Sequence, residues 1–172
     1  MLKWIGMLFI IFAGTMAGYY KASQYSKRPR QIREIIQALS RLETEIMYGF
    51  TPLPEALVAT SRQLSGPVRA MFAAAGQELA QIDSSTTWEV WQQAVEQHWR
   101  FTALGPSELE VMKQLGHTLG ISDRGDQVNH IKLSISQLQG EEQLAREEQK
   151  RYEKMSRSLG FLTALLIVIV MY

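Results

Sequence analysis

The sequence contains no cysteine. That removes disulfides, thiolate metal sites, a cysteine nucleophile and a lipoprotein anchor, and it leaves the redox compartment open. Catalytic signatures are missing too. There is no G-x-x-x-x-G-K-[ST], so no P-loop holds a nucleotide, and neither H-E-x-x-H nor G-x-S-x-G occurs. Histidine is scarce: His98, His117 and His130 are scattered, and His98 has no histidine or carboxylate at ligand spacing. A net charge of +1 gives no general attraction to nucleic acid. No stretch reads as a strand. These absences argue against an enzyme and against any cofactor or metal.

What is present begins with two apolar ends. Residues 4–20, WIGMLFIIFAGTMAGYY, span about 25 Å as a helix, just enough for a hydrocarbon core. Trp4 at one end and Tyr19 and Tyr20 at the other fit the aromatic belt. Lys21, Lys27, Arg28, Arg30 and Arg33 follow, while only Lys3 and the amino terminus precede, which favours an anchor whose C-terminal end is cytoplasmic. The small residues at 13–18 support the rival reading, a cleaved signal peptide and an outward-facing domain.

The C-terminal end starts as the charged run EEQLAREEQKRYEKMSRS, residues 141–158, and becomes LGFLTALLIVIVMY. Glu142–Arg146, Glu147–Arg151 and Glu153–Arg157 sit four apart with the acid first, which supports a helix. No proline interrupts it, so one continuous helix is expected, solvated at its start and in lipid at its end. The apolar part is only about 21 Å long; starting it at Met155, with Arg157 snorkelling, makes the span adequate. The expected organisation is an N-terminal transmembrane anchor over 1–22, a cytoplasmic bundle over 27–157 and a second anchor over 158–172. Gly14 and Gly18, and Gly160 and Ala164, place small residues four apart, a spacing that lets membrane helices approach closely.

The middle reads as all-α, a bundle of about six helices. Ile32, Ile35, Ile36, Leu39, Leu42 and Ile46 recur at helical spacing. Pro29 suits the first turn and Gly49 a stop. Thr51-Pro52 is expected as N-cap and first helical position of a second helix with Leu57 inward. Ser65-Gly66-Pro67 starts a third helix through Val68, Met71, Phe72 and Ala75. The polar turn at 83–87 precedes a fourth, carrying Trp88, Trp91, Val95 and Trp99. Ser107 with Glu110 reads as a capping box for a fifth helix that stops at Gly120. A sixth, capped by Ser122, runs through Val128, Ile131, Ile135 and Leu138.

Four clusters invite chemistry. Asp123 and Asp126 lack the further ligands of a calcium loop and fit dipole-complementing carboxylates at a helix start. Glu43 and Glu45 diverge on a helix. The three tryptophans of the fourth helix read as core, with a partner-facing patch as the sharper option. The basic stretch KRPRQIR, with Lys27, Arg28, Arg30 and Arg33, suits anionic lipid headgroups or an acidic partner under the membrane. No aromatic residues interleave it, which argues against nucleic acid.

The run RPRQIREIIQALSRLETEIMYGFTPLPEAL, residues 28–57, closely resembles the stage III sporulation protein AB family. So does LGHTLGISDRGDQVNHIKLSISQL, residues 115–138. Tyr48-Gly49 followed by Thr51-Pro52-Leu53 and Glu55-Ala56-Leu57 is the most specific piece. The same segments also resemble the cytoplasmic domain of type II secretion F proteins, although this chain carries one such unit and two anchors. The resemblance implies a non-enzymatic platform in the secretion-like channel between mother cell and forespore. It places the protein in the outer forespore membrane with its domain in the mother-cell cytoplasm. The implied partners are the other channel components, including a secretion-type ATPase, and membrane lipids, with self-association left open. The alternative is a two-pass membrane adaptor whose bundle docks a different cytoplasmic machine.

Overall fold

The computed structural model describes Met16 and residues 26–81, 86–120 and 123–171. Among the described residues there are six α-helices and no strand. They are α1 (Lys27–Thr44), α2 (Leu53–Ser61), α3 (Gly66–Gln81), α4 (Thr87–Trp99), α5 (Pro106–Gly116) and α6 (Arg124–Met171), with a π-helical turn at Glu45–Gly49. The chain divides into two compact units. Arg28–Gln143 forms the bundle, and Met1–Lys27 with Leu144–Tyr172 forms the other.

The bundle exists because each helix carries an apolar stripe. On α1, Ile32, Ile35, Ala38, Leu39 and Leu42 are fully buried, as their helical spacing requires. Ala56 and Leu57 on α2, Val68, Met71, Phe72 and Ala75 on α3, and Val128, Ile131 and Leu138 on α6 join the same core. Each large aliphatic side chain so buried contributes about 1.5–3 kcal/mol. Consecutive helices pack on one another from α2 to α5. Gly76 permits a close approach of α2 and α3: a Cβ there would lie 2.8 Å from both Pro54 O and Val58 Cγ2.

Trp91 is the centre of the second half. It is buried, meets Phe72 edge-on at 5.6 Å and donates its indole N–H to Met112 O at 2.6 Å. Its ring fills the space a side chain at Gly116 would need. Of the three tryptophans, Trp91 is core, while Trp88 and Trp99 are half-buried.

Several helix ends differ from expectation. Thr51 does not cap α2, which begins at Leu53 after Pro52. Its hydroxyl donates instead to Glu45 Oε2 at 3.0 Å. Helix α5 begins two residues before Ser107 can cap it: Gly105 is the N-cap, and Glu108, not Glu110, accepts its N–H at 2.7 Å. A proline at the first helical position sets that earlier start. The helical run that continues α1 through the π-helical turn stops at Gly49, as expected, but the left-handed residue is Phe50, at φ 49°. Helix α5 ends at Gly116, and turns carry the chain to Gly120. Thr86 is the cap in the 83–87 turn, forming a reciprocal box with Glu89. Asp123 Oδ1 accepts the Asp126 N–H at 2.9 Å, as a helix-start carboxylate should. Ser122 lies outside the described residues.

Among the described residues no helix is long and apolar enough to cross a membrane. The expected N-terminal anchor, with Gly14 and Gly18, lies outside the described residues apart from Met16. For the expected C-terminal anchor the helical course through Met171 is described; the surroundings of Gly160 and Ala164 are not.

Candidate docking surface

The basic stretch at the start of α1 is not a single patch. Arg28 reaches across to Glu108, eighty residues away in sequence. Glu108 is fully buried, and its Oε1 accepts from Arg28 Nε at 2.9 Å and lies 2.8 Å from Nη2. Its Oε2 takes the Gly105 N–H. Arg28 Nη2 also lies 3.5 Å from Glu141 Oε2. A buried carboxylate is tolerated only when charge and hydrogen bonds compensate its lost hydration, and this one has both. Arg33 Nε donates to Glu142 Oε1 at 2.8 Å. Two of the four basic residues therefore tie α1 to α5 and α6. Lys27 and Arg30 are exposed, with Arg30 3.6 Å from Glu34.

The other end of α1 has a different character. Here the chain passes through the π-helical turn and then through the left-handed Phe50. Non-glycine residues rarely adopt that conformation. Such strain, like single π-helical turns, concentrates at functional sites. Tyr48 is 76% exposed and Phe50 70%, and Met47 projects beside them. The guanidinium of Arg124, at the start of α6, lies over the Phe50 ring at 4.5 Å. Behind the turn, the Thr51–Glu45 hydrogen bond ties the two sides of the loop together. The result is an aromatic shelf of Met47, Tyr48, Phe50 and Arg124, residue types enriched at the centres of protein interfaces.

No part of this shelf can do covalent chemistry. It offers apolar area, a phenol and a guanidinium, with no nucleophile paired to a base. Two of the three histidines are engaged elsewhere: His98 Nδ1 contacts Ala94 O at 2.8 Å, and His117 stacks on Trp88 at 4.9 Å. Among the described residues no group of three or more side chains could hold a metal ion. An open groove of about 460 Å³ runs along α4, lined by Trp88, Glu89, Gln92, Gln93, Glu96 and Gln97. Within it Glu96 pairs with Lys113 at 2.7 Å. That hydrogen bond, and a weaker one from Gln92, hold the Glu96 carboxyl below its ordinary value.

The sequence signalled Tyr48 through resemblance alone. Phe50 and Arg124 carried no signal, because a π-helical turn and a contact across the fold leave no periodic trace. Aromatics on either side of a glycine after an amphipathic helix are the nearest thing to one.

The family model described as stage III sporulation protein AB matches residues 3–172. The chain belongs to the stage III sporulation protein AB family. The stage III sporulation protein AB of Bacillus subtilis (strain 168) is 44% identical over 172 residues, covering 99% of both chains. A solved structure of a stage III sporulation protein AB superposes with a TM-score of 0.68 at 42% identity, covering 73% of this chain and 98% of that one. The family's name assigns it to sporulation, and the helical architecture of the bundle is shared with that solved relative.

Proposed function

We propose that this family member is a non-enzymatic platform in the secretion-like channel between mother cell and forespore during endospore formation. Its two apolar ends hold it in the outer forespore membrane. Its bundle lies in the mother-cell cytoplasm, where it docks a secretion-type ATPase or another channel component. The observation that carries this reading is the aromatic shelf. Tyr48 and Phe50 stay more than two-thirds exposed at a strained turn, and a partner that covers them explains why large apolar rings stand in water. The Arg28–Glu108 clasp supports it from the opposite end of α1. It fixes the start of α1 to α5, as a rigid platform requires.

The test places a photo-crosslinking amino acid at Tyr48 of the full chain in sporulating cells. A covalent adduct with a secretion-type ATPase or a membrane component of the channel is expected. An adduct with an unrelated cytoplasmic machine would favour the two-pass adaptor instead. Orientation is checked separately with Ser107→Cys, exposed at the start of α5, in the cysteine-free background. The platform reading expects no labelling by an impermeant maleimide until the membranes are opened. Labelling of unopened cells would turn the bundle outward and remove the reading.

A further inference from the structure

The turn that carries the aromatic shelf is closed by one side chain. Thr51 Oγ1 donates to Glu45 Oε2 at 3.0 Å and lies 3.4 Å from Gly49 O. The hydroxyl joins a carboxylate ahead of Phe50 to the residue that follows it. It also touches the peptide unit that enters Phe50, and the φ of Phe50 measures how that unit is turned. That φ is 49°, and among the described residues no other non-glycine φ is positive.

A left-handed phenylalanine persists only where its surroundings impose the conformation. Two contacts reach this one. The Arg124 guanidinium lies over its ring at 4.5 Å. Both side chains are exposed and rotatable, so that stack can follow the ring wherever the backbone sets it. The Thr51–Glu45 hydrogen bond is different, because it holds the backbone on both sides of the residue. Thr51 has no competing duty as a cap, since α2 starts after Pro52 without a side-chain cap.

Gly49 points to the same bond. Its own φ is not positive, so its backbone does not call for glycine. A Cβ there would lie 2.8 Å from Glu45 Oε2 and 2.9 Å from Thr51 Oγ1. Those are the two atoms of the hydrogen bond, so the bond itself is what excludes a side chain at 49.

Resting on the shelf reading above, we infer that Thr51 is the positioning residue of the shelf: its hydrogen bond to Glu45 across Gly49 holds Phe50 left-handed and so fixes how the Tyr48 and Phe50 rings meet the partner. Thr51 acts through the backbone between 45 and 51. Rings already held in place lose little freedom on docking, which is how a preformed surface gains affinity.

The test uses the full chain with the photo-crosslinking amino acid at Tyr48 in sporulating cells, and reads the channel-component adduct. Thr51→Val keeps the branched shape but removes the hydroxyl, and the adduct is expected to fall by roughly tenfold. Thr51→Ser keeps the hydroxyl and restores it. Both variants melt within about 4 °C of the parent. Gly49→Ala reaches the bond by another route: its methyl group drives Glu45 and Thr51 apart, and the same loss of adduct is expected. A second readout needs no partner. In the detergent-solubilised full chain with labelled phenylalanine, the Phe50 Cα chemical shift should leave the left-handed range in Thr51→Val and stay there in Thr51→Ser. A Thr51→Val chain that keeps Phe50 left-handed overturns the inference. So does one that gives the adduct at parent level, or a loss that Thr51→Ser does not restore; the shelf reading survives each of these. A parent chain with no adduct at position 48 overturns the shelf reading and this inference together.

Discussion

Arg28 and Glu108 make a forked clasp: Nε and Nη2 of the arginine both approach one oxygen, Oε1, of a carboxylate with no exposed surface. Removing one partner leaves a buried charge or a half-satisfied site. Glu108→Ala and Arg28→Ala are each expected to cost about 3–5 kcal/mol of unfolding free energy. Replacing both by leucine recovers part of the loss, because an apolar pair needs no compensation. Denaturant titration of the three variants checks this. Two equal, fully additive losses would mean that the residues act independently.

Leu57 is fully buried on α2. Leu57→Asp places an unpaired carboxylate in the core at a cost of at least about 4 kcal/mol. The bundle should lose its cooperative melt by circular dichroism. A variant that melts like the parent would show that this side of α2 is not core.

Gly76 sits where α3 lies close against α2. Gly76→Ala brings a methyl group against Pro54 O, which is backbone and cannot swing away. The expected loss is about 1–3 kcal/mol, despite alanine's better helix propensity. A gain in stability would mean that the two helices separate easily.

Glu96 predicts a small pH effect. Its folded-state pKa lies below its ordinary 4.5, first because of the Lys113 hydrogen bond and then because of Gln92. A depressed carboxylate stabilises the fold above its unfolded pKa, and the contribution is lost as pH falls through the lower folded value. Lys113→Met should therefore lower stability slightly at neutral pH, by a small amount because the pair is exposed, and leave it unchanged well below the folded value, so that the acid limb is flatter. An unaltered acid limb would show that the pair is not formed in solution.

The periodic parts of the fold were legible because burial repeats. The stripe from Ile32 to Leu42 reads directly as one face of a helix, and Asp123 and Asp126 read as carboxylates at a helix start, where Asp123 accepts the Asp126 N–H. The ends were harder. Thr51 looks like a cap, yet its hydroxyl finds Glu45 through a π-helical turn that no local pattern encodes. Ser107 and Glu110 match a capping box, but Pro106 begins the helix earlier and hands the role to Glu108. Arg28 read as part of a basic patch because sequence spacing cannot show a partner eighty residues away. Phe50 escaped for the same reason, since its partner Arg124 comes from the far side of the chain.

The central claim is that the Tyr48–Phe50 shelf is covered by a partner during sporulation. Its most direct test is the heat-resistant spore count of a spore-forming host that lacks its own family member and carries this full chain. The wild-type chain is first shown to restore spores. Tyr48→Ser with Phe50→Asn is then compared, since asparagine tolerates the left-handed backbone at position 50. The account predicts that the variant accumulates and melts like the parent while spores fall by roughly tenfold or more. Wild-type spore counts from that variant, at equal protein level, would contradict it.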